Sequence, residues 1–181
     1  MDHRVKTVIV DRDGTINYDS DDYIKSVAEW RPVPGSIEAL ARLSQAGYRV
    51  VVATNQSALG RGLFNAATLA AIHDAMCRAV ARAGGRIDAI FYCPHTPEAN
   101  CDCRKPKPGM LLDIARRFNL SLGEVPAVGD ALRDLQAAAA AGAQPVLVLT
   151  GKGKETQAAG GLPAGTKVYA DLAAFADSLT K

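Results

Sequence analysis

The chain of 181 residues carries 21 basic against 19 acidic side chains, a formal charge of +2, and 48% of its residues are hydrophobic. That length suits a single domain spanning 1–181, and the apolar share supports a buried core and excludes a disordered chain. A charge so close to balance gives no ground for nucleic acid or an anionic membrane as partner.

Taken in order, Val5 to Val10 is a β-branched run ending at Asp11-Arg12-Asp13-Gly14, residues that favour a turn. Asp2, Arg4 and Lys6 interrupt the start, and Val8 to Val10 is too short for the apolar segment of a signal peptide, so the expected address is cytoplasmic. Ser36 reads as an N-cap, with Ile37, Leu40 and Leu43 on one helical face and Gly47 as the stop. A strand from Arg49 to Ala53 ends at Thr54-Asn55-Gln56-Ser57, and a helix from Ala66 to Ala83 carries Leu69, Ile72, Met76 and Val80 inward. A third strand, Ile87 to Tyr92, opens into a cysteine-bearing loop. Leu111, Ile114, Ala115 and Phe118 then mark a helix, Val125 to Val128 a strand, Leu132 to Ala141 a helix, and Pro145 to Leu149 a fifth strand. Gly151 to Gly165 reads as a flexible solvent loop, Val168-Tyr169 as a short extended piece, and Leu172 to Leu179 as a last helix. His3 and His73 are expected to be structural, His73 without a partner, and Cys77 to be a core or semi-exposed thiol.

Apolar strands alternating with helices predict an α/β, Rossmann-like, doubly wound and mainly parallel sheet. Ligands in such sheets lie beyond the carboxyl ends of the strands. Asp11 and Asp13, Thr54 and Asn55, and Asp130 each stand just past a predicted strand end, so separate segments bring polar groups to one edge. Taken singly, Asp130 is an ordinary turn residue and Thr54-Asn55 an ordinary turn signal. Together, like carboxylates held close require a cation, and oxygen ligands suit Mg²⁺. Lys105, Thr54 and Asn55 are donors of the kind that hold a phosphoryl group.

Asp11-Arg12-Asp13-Gly14-Thr15, followed by Thr54-Asn55, Lys105 and Gly129-Asp130 with Asp134, resembles the ordered motifs of the haloacid dehalogenase-like phosphatases. The resemblance implies that Asp11 is a nucleophile forming an aspartyl-phosphate and that Asp13 is the general acid and base. It implies a Mg²⁺ site on Asp11, the Asp13 carbonyl and Asp130, with Thr54, Asn55 and Lys105 on the phosphoryl oxygens. With only some forty residues between Asp13 and Thr54, no large cap domain is expected. Substrate contacts then fall to Arg12, to the loop from Asn17 to Tyr23 with Asp19, Ser20, Asp21 and Asp22, to Gln56 and Ser57, and to Arg104. A solvated acidic turn is an equal reading for Asp21 and Asp22.

Cys93, His95, Cys101 and Cys103 fall within eleven residues in a loop at 93–103. Three sulfurs and one imidazole suit a closed, structural Zn²⁺ site; unligated thiols beside a chance histidine are the other reading. Fixing Cys103 would fix where Arg104 and Lys105 enter the site. With these motifs the chain resembles, within the family, the subgroup holding heptose-bisphosphate and histidinol-phosphate phosphatases. This implies a monomeric Mg²⁺-dependent phosphatase acting on the C7 phosphate of a small sugar bisphosphate, the heptose precursor of lipopolysaccharide core. Histidinol phosphate is the alternative substrate, and a zinc-loop interaction module the non-enzymatic alternative. One departure is Ala131, where a basic residue is expected; Arg133 is the available substitute.

Overall fold

The computed structural model describes residues 5–181, and His3 lies outside the described residues. Six strands, β1 (Thr7–Val10), β2 (Arg49–Asn55), β3 (Ala89–Cys93), β4 (Pro126–Gly129), β5 (Gln144–Val148) and β6 (Lys167–Tyr169), form one sheet ordered β3-β2-β1-β4-β5-β6. Every pairing is parallel, with Val10 opposite Val52 on one side and Val128 on the other. The predicted doubly wound α/β architecture is the one observed. The short extended piece at Val168-Tyr169 is the sixth strand, paired with Leu147 and Val148.

The helices are α1 (Ser36–Gln45), the single turn α2 (Ser57–Gly60), α3 (Ala66–Arg82), α4 (Gly109–Phe118), α5 (Leu132–Ala141), α6 (Gly153–Ala159) and α7 (Leu172–Thr180). Alternation along the strands divides the core in two. Val8, Val10, Val50, Val52, Val146 and Val148 face Leu40 and Leu43 of α1, Met76 and Val80 of α3, and Phe175 of α7. Ile9, Val51, Ala53 and Ala127 face Met110, Leu111 and Ile114 of α4 and Ala137 and Ala138 of α5. Because both faces are covered, the strands read as continuous apolar runs, and each fully buried Val, Ile or Leu contributes roughly 1.5–3 kcal/mol.

Two expectations are corrected. Ser36 is not the N-cap of α1: Gly35, with φ of 80°, holds that position. The Ser36 hydroxyl instead donates to the Ile16 carbonyl at 2.6 Å, tying the helix start to the segment after β1. Nor is Gly151 to Gly165 a solvent loop throughout, since α6 forms within it and residues 150–156 pack on the carboxyl edge of the sheet.

No inserted cap domain is present among the described residues; between β1 and α1 the chain makes one 3-10 turn, Val27–Glu29. No described helix is long and apolar enough to cross a membrane.

Candidate active site

The strand order reverses on either side of β1, which opens a crevice where β1, β2 and β4 end together. Asp11 follows β1 directly and is locked to β4 by its N–H donating to the Val128 carbonyl at 2.8 Å. Asp130 follows β4. Asp11, Asp130 and Asp134 bring carboxylate oxygens within 4.8 Å of one another, all three buried.

Lys105 enters this cluster from the far side. Its buried Nζ lies 2.9 Å from Asp11 Oδ1 and 2.7 Å from Asp134 Oδ1, and donates to the Ala53 carbonyl at 2.8 Å. Burial would lower the pKa of Lys105, but Asp11 and Asp134 hold it above the ordinary range. Burial first, and then the charge of Asp134, pushes Asp11 well up, and burial with Asp134 pushes Asp130 up to about 7. One ammonium is not enough for three close carboxylates, and that remaining negative charge fits a divalent cation on Asp11 and Asp130. Asp134 is committed elsewhere, since its Oδ2 also accepts from the Ala131 N–H at 3.0 Å.

Gly14, with φ of 84°, and Gly151, with φ of 53°, close on the carboxylate of Asp130; a Cβ at either position would collide with Asp130 Oδ2. The Lys152 N–H donates to that oxygen at 2.8 Å, while the Thr156 hydroxyl donates to the Asp130 carbonyl and Thr150 to the Gly14 carbonyl. Sequence reasoning missed this wrap, because Gly and Lys at 151–154 carry no periodic signal.

Asp13 sits opposite, its Oδ2 accepting from Gln56 Nε2 at 2.9 Å. The same Gln56 amide donates to the buried Thr54 hydroxyl at 2.9 Å. Asn55 has a different job from the phosphate grip expected of it. Its side chain donates to the Lys105 carbonyl at 3.0 Å and accepts from the Lys105 N–H at 3.1 Å, clamping that backbone.

Arg12 is a further correction. Its side chain is fully buried behind Asp13, so it does not meet a phosphoryl group in the cleft. Its Nη1 lies 3.1 Å from Nε2 of His73 on α3, which gives a partner to a histidine expected to have none. Burial, then the nearby charge of Arg12, lowers the pKa of His73 to about 4. Freed by unfolding, it titrates near 6.5, so between those values the unfolded chain binds the extra proton and acid weakens the fold. At pH 5 the loss due to this group is about 2 kcal/mol. Urea midpoints at pH 7.5 and pH 5 are expected to differ less in His73→Gln than in the parent protein.

A cleft of about 240 Å³ leads to Asp13. Asp19, Ser20, Asp21, Asn55, Gln56, Ser57 and Arg104 line it, and so do Arg61, Arg133 and Lys152. Asp22 lines a neighbouring hollow instead, with Tyr18, Lys25 and Arg31. Arg61 was not foreseen; it follows the one-turn helix α2, which Ser57–Gly60 is too short to announce.

The cysteine loop closes into a cage. Cys103 Sγ lies 3.1 Å from Cys93 Sγ, 3.6 Å from Cys101 Sγ and 3.4 Å from His95 Nδ1. The sulfurs are too far apart for a disulfide, yet near the spacing of about 3.7 Å set by a tetrahedral ion with 2.3 Å bonds to sulfur. Burial and the adjoining sulfurs push the Cys103 thiol up to about 12, so Cys103 stays a thiol unless a cation shares the cage. Cys77 is half-buried, away from the cage.

The HAD-hydrolase-like family profile matches residues 102–175. The chain is 61% identical to D-glycero-beta-D-manno-heptose-1,7-bisphosphate 7-phosphatase of Bordetella bronchiseptica over 97% of its own length and 98% of the relative's. It is 54% identical to the enzyme of the same name from Pseudomonas putida, over 97% and 99%. The crystal structure of D,D-heptose 1,7-bisphosphate phosphatase from B. bronchiseptica, complexed with magnesium and phosphate, superposes with a TM-score of 0.95 at 61% identity, covering 96% of this chain and 97% of that one.

Proposed function

From the premise that the chain belongs to the heptose-bisphosphate phosphatase family of haloacid dehalogenase-like hydrolases, we propose that it removes the C7 phosphate of D-glycero-β-D-manno-heptose 1,7-bisphosphate through an aspartyl-phosphate on Asp11. The observation that carries this reading is the cleft itself. Two carboxylates able to divide nucleophilic and acid–base work share a crevice with Lys105, and four cations, Arg61, Arg104, Arg133 and Lys152, or their stems, line its mouth.

In the first step an Asp11 carboxylate oxygen bonds to phosphorus as the bond from phosphorus to the C7 oxygen breaks. Asp13 gives its proton to that leaving oxygen. In the second step Asp13 takes a proton from water as the water oxygen bonds to phosphorus, releasing inorganic phosphate and restoring the Asp11 carboxylate. Lys105, held by its two carboxylates and by Asn55, offsets charge on the phosphoryl oxygens, and the Thr54 hydroxyl, which accepts from Gln56, would donate to the same oxygens. Asp11, the Asp13 carbonyl and Asp130 would hold Mg²⁺, whose chemistry when bound is to neutralise phosphoryl charge.

Cys93, His95, Cys101 and Cys103 would hold Zn²⁺ in a structural role. Arg104 Nη1 donates to the His95 carbonyl at 3.4 Å, joining the cage to the cleft. Stripping zinc with a thiol-competing chelator and restoring Mg²⁺ is expected to lower kcat by about tenfold or more, the scale of losing groups that orient a site, and to lower Tm. Unchanged kcat and Tm would separate the cage from catalysis.

The mouth also argues against histidinol phosphate. Four cations outnumber the three carboxylates that share the lining, Asp13, Asp19 and Asp21, and so favour a substrate with a second phosphate over one carrying an imidazolium. The near-even overall charge is in keeping with a small sugar phosphate as partner, and a cytosolic, monomeric enzyme without nucleic-acid or membrane partners belongs to the same reading. The test is phosphate release with Mg²⁺ from heptose 1,7-bisphosphate, heptose 7-phosphate and histidinol phosphate. We expect kcat/KM for the bisphosphate to exceed that for histidinol phosphate at least about tenfold, a difference of about 1.4 kcal/mol. Equal or reversed values would overturn the assignment.

A further inference from the structure

The donors around Asp13 are divided unevenly between its two oxygens. Oδ1 accepts from Arg12 Nε at 2.8 Å and from Asn17 Nδ2 at 2.9 Å, and lies 2.7 Å from Arg12 Nη2. Oδ2 has the single donor from Gln56. A proton on Oδ1 would point an O–H into groups that can only donate, because neither a guanidinium nor an amide N–H accepts. A proton on Oδ2 displaces nothing from Oδ1.

What holds the guanidinium is equally specific. Arg12 has no exposed side-chain surface, and its third nitrogen faces Nε2 of His73, a residue 61 positions away on α3 that packs among the buried Leu69, Ile72 and Met76. Arginine offers only donors, so Nε2 must be the accepting nitrogen and the ring proton sits on Nδ1. Burial and the neighbouring positive charge keep the ring neutral near pH 7. His73 therefore fixes the rotation of the Arg12 plane, and that plane fixes the Asp13 carboxylate.

We propose that Arg12 and His73 are positioning residues that turn the Asp13 carboxylate so that Oδ2 alone exchanges the proton with the leaving oxygen and with water. The proposal rests on the reading of Asp13 as the acid–base group and adds the residues that aim it.

The test compares His73→Leu, which removes the acceptor, with His73→Gln, whose amide oxygen can still accept from Arg12. Each variant is assayed with an alkyl sugar phosphate and with an aryl phosphate, whose phenolate departs with little help from an acid. kcat/KM reports the chemistry only through loss of that leaving group. His73→Leu is expected to lose about tenfold in kcat/KM on the alkyl ester, a part of the 10²–10⁴-fold that a placed acid supplies. On the aryl ester it loses less than about threefold, and His73→Gln recovers most of the alkyl rate. If His73→Leu is too unstable, Arg12→Lys carries the same comparison, since one ammonium cannot span Asp13 and His73 with paired contacts. Equal losses on both esters, or none on either, overturn the positioning role. Asp13→Asn, run alongside, tells the two readings apart. If it leaves the alkyl-to-aryl ratio unchanged, the acid–base role of Asp13 itself fails; if it collapses that ratio while His73→Leu does not, only the positioning role fails.

Discussion

Asp11→Asn is expected to lower kcat for phosphate release by about 10⁴-fold or more, the scale on which nucleophile deletions act. Asparagine keeps the shape and one acceptor for Lys105, so the fold should persist. Stability should hold or rise, because the substitution removes one of three crowded carboxylate charges while Lys105 keeps Asp134. The checks are phosphate release, acid-quench trapping of a phosphorylated chain, which should disappear, and Tm. Release at the parent rate would overturn the role of Asp11 and revive the reading of the cysteine loop as an interaction module.

Lys105→Ala should do damage of a different kind. It strands Asp11 and Asp134 as buried charges without their partner, at a cost of about 3–5 kcal/mol, and for a chain of this size that corresponds to a fall in Tm of about 10 °C. It also removes a cation aimed at developing charge, expected to lower kcat by about 10²–10³-fold. The two effects can be separated by adding Asp134→Asn. The double variant should recover a good part of the lost Tm, since one stranded charge is gone, and none of the lost kcat. Recovery of activity would mean that Lys105 serves the fold only.

The crevice was readable from the chain because β-branched runs stop abruptly at polar turns, and a parallel sheet sends all such ends the same way. Cysteine spacing likewise announced the cage, since its four residues are close in sequence. What could not be read is what depends on packing between distant segments. The partnership of Arg12 with His73 exists only because α3 lies against the face of the sheet beside β1. Arg12, next to two aspartates, looked like a phosphate contact, and nothing local says that its side chain turns inward. Asn55 was equally ambiguous: an amide at a strand end can hold a ligand or a neighbouring backbone, and the second use requires Lys105 to arrive from 50 residues further on. Residues 150–156 were misread for the opposite reason, because a glycine-rich stretch resembles solvent loop until the carboxylate of Asp130 is seen to need its close approach.

Gly14 and Gly151 contribute no reactive atom, yet both stand so close to the carboxylate of Asp130 that a methyl group at either would displace it. A survey of every substitution along this chain would score both positions as intolerant as the aspartates themselves. The same holds for descent with change: Asp130 can keep its place only while two sites far apart in sequence both refuse a methyl group, so any lineage that alters one loses the other's purpose. Part of what this chain transmits as its active site is a pair of omissions.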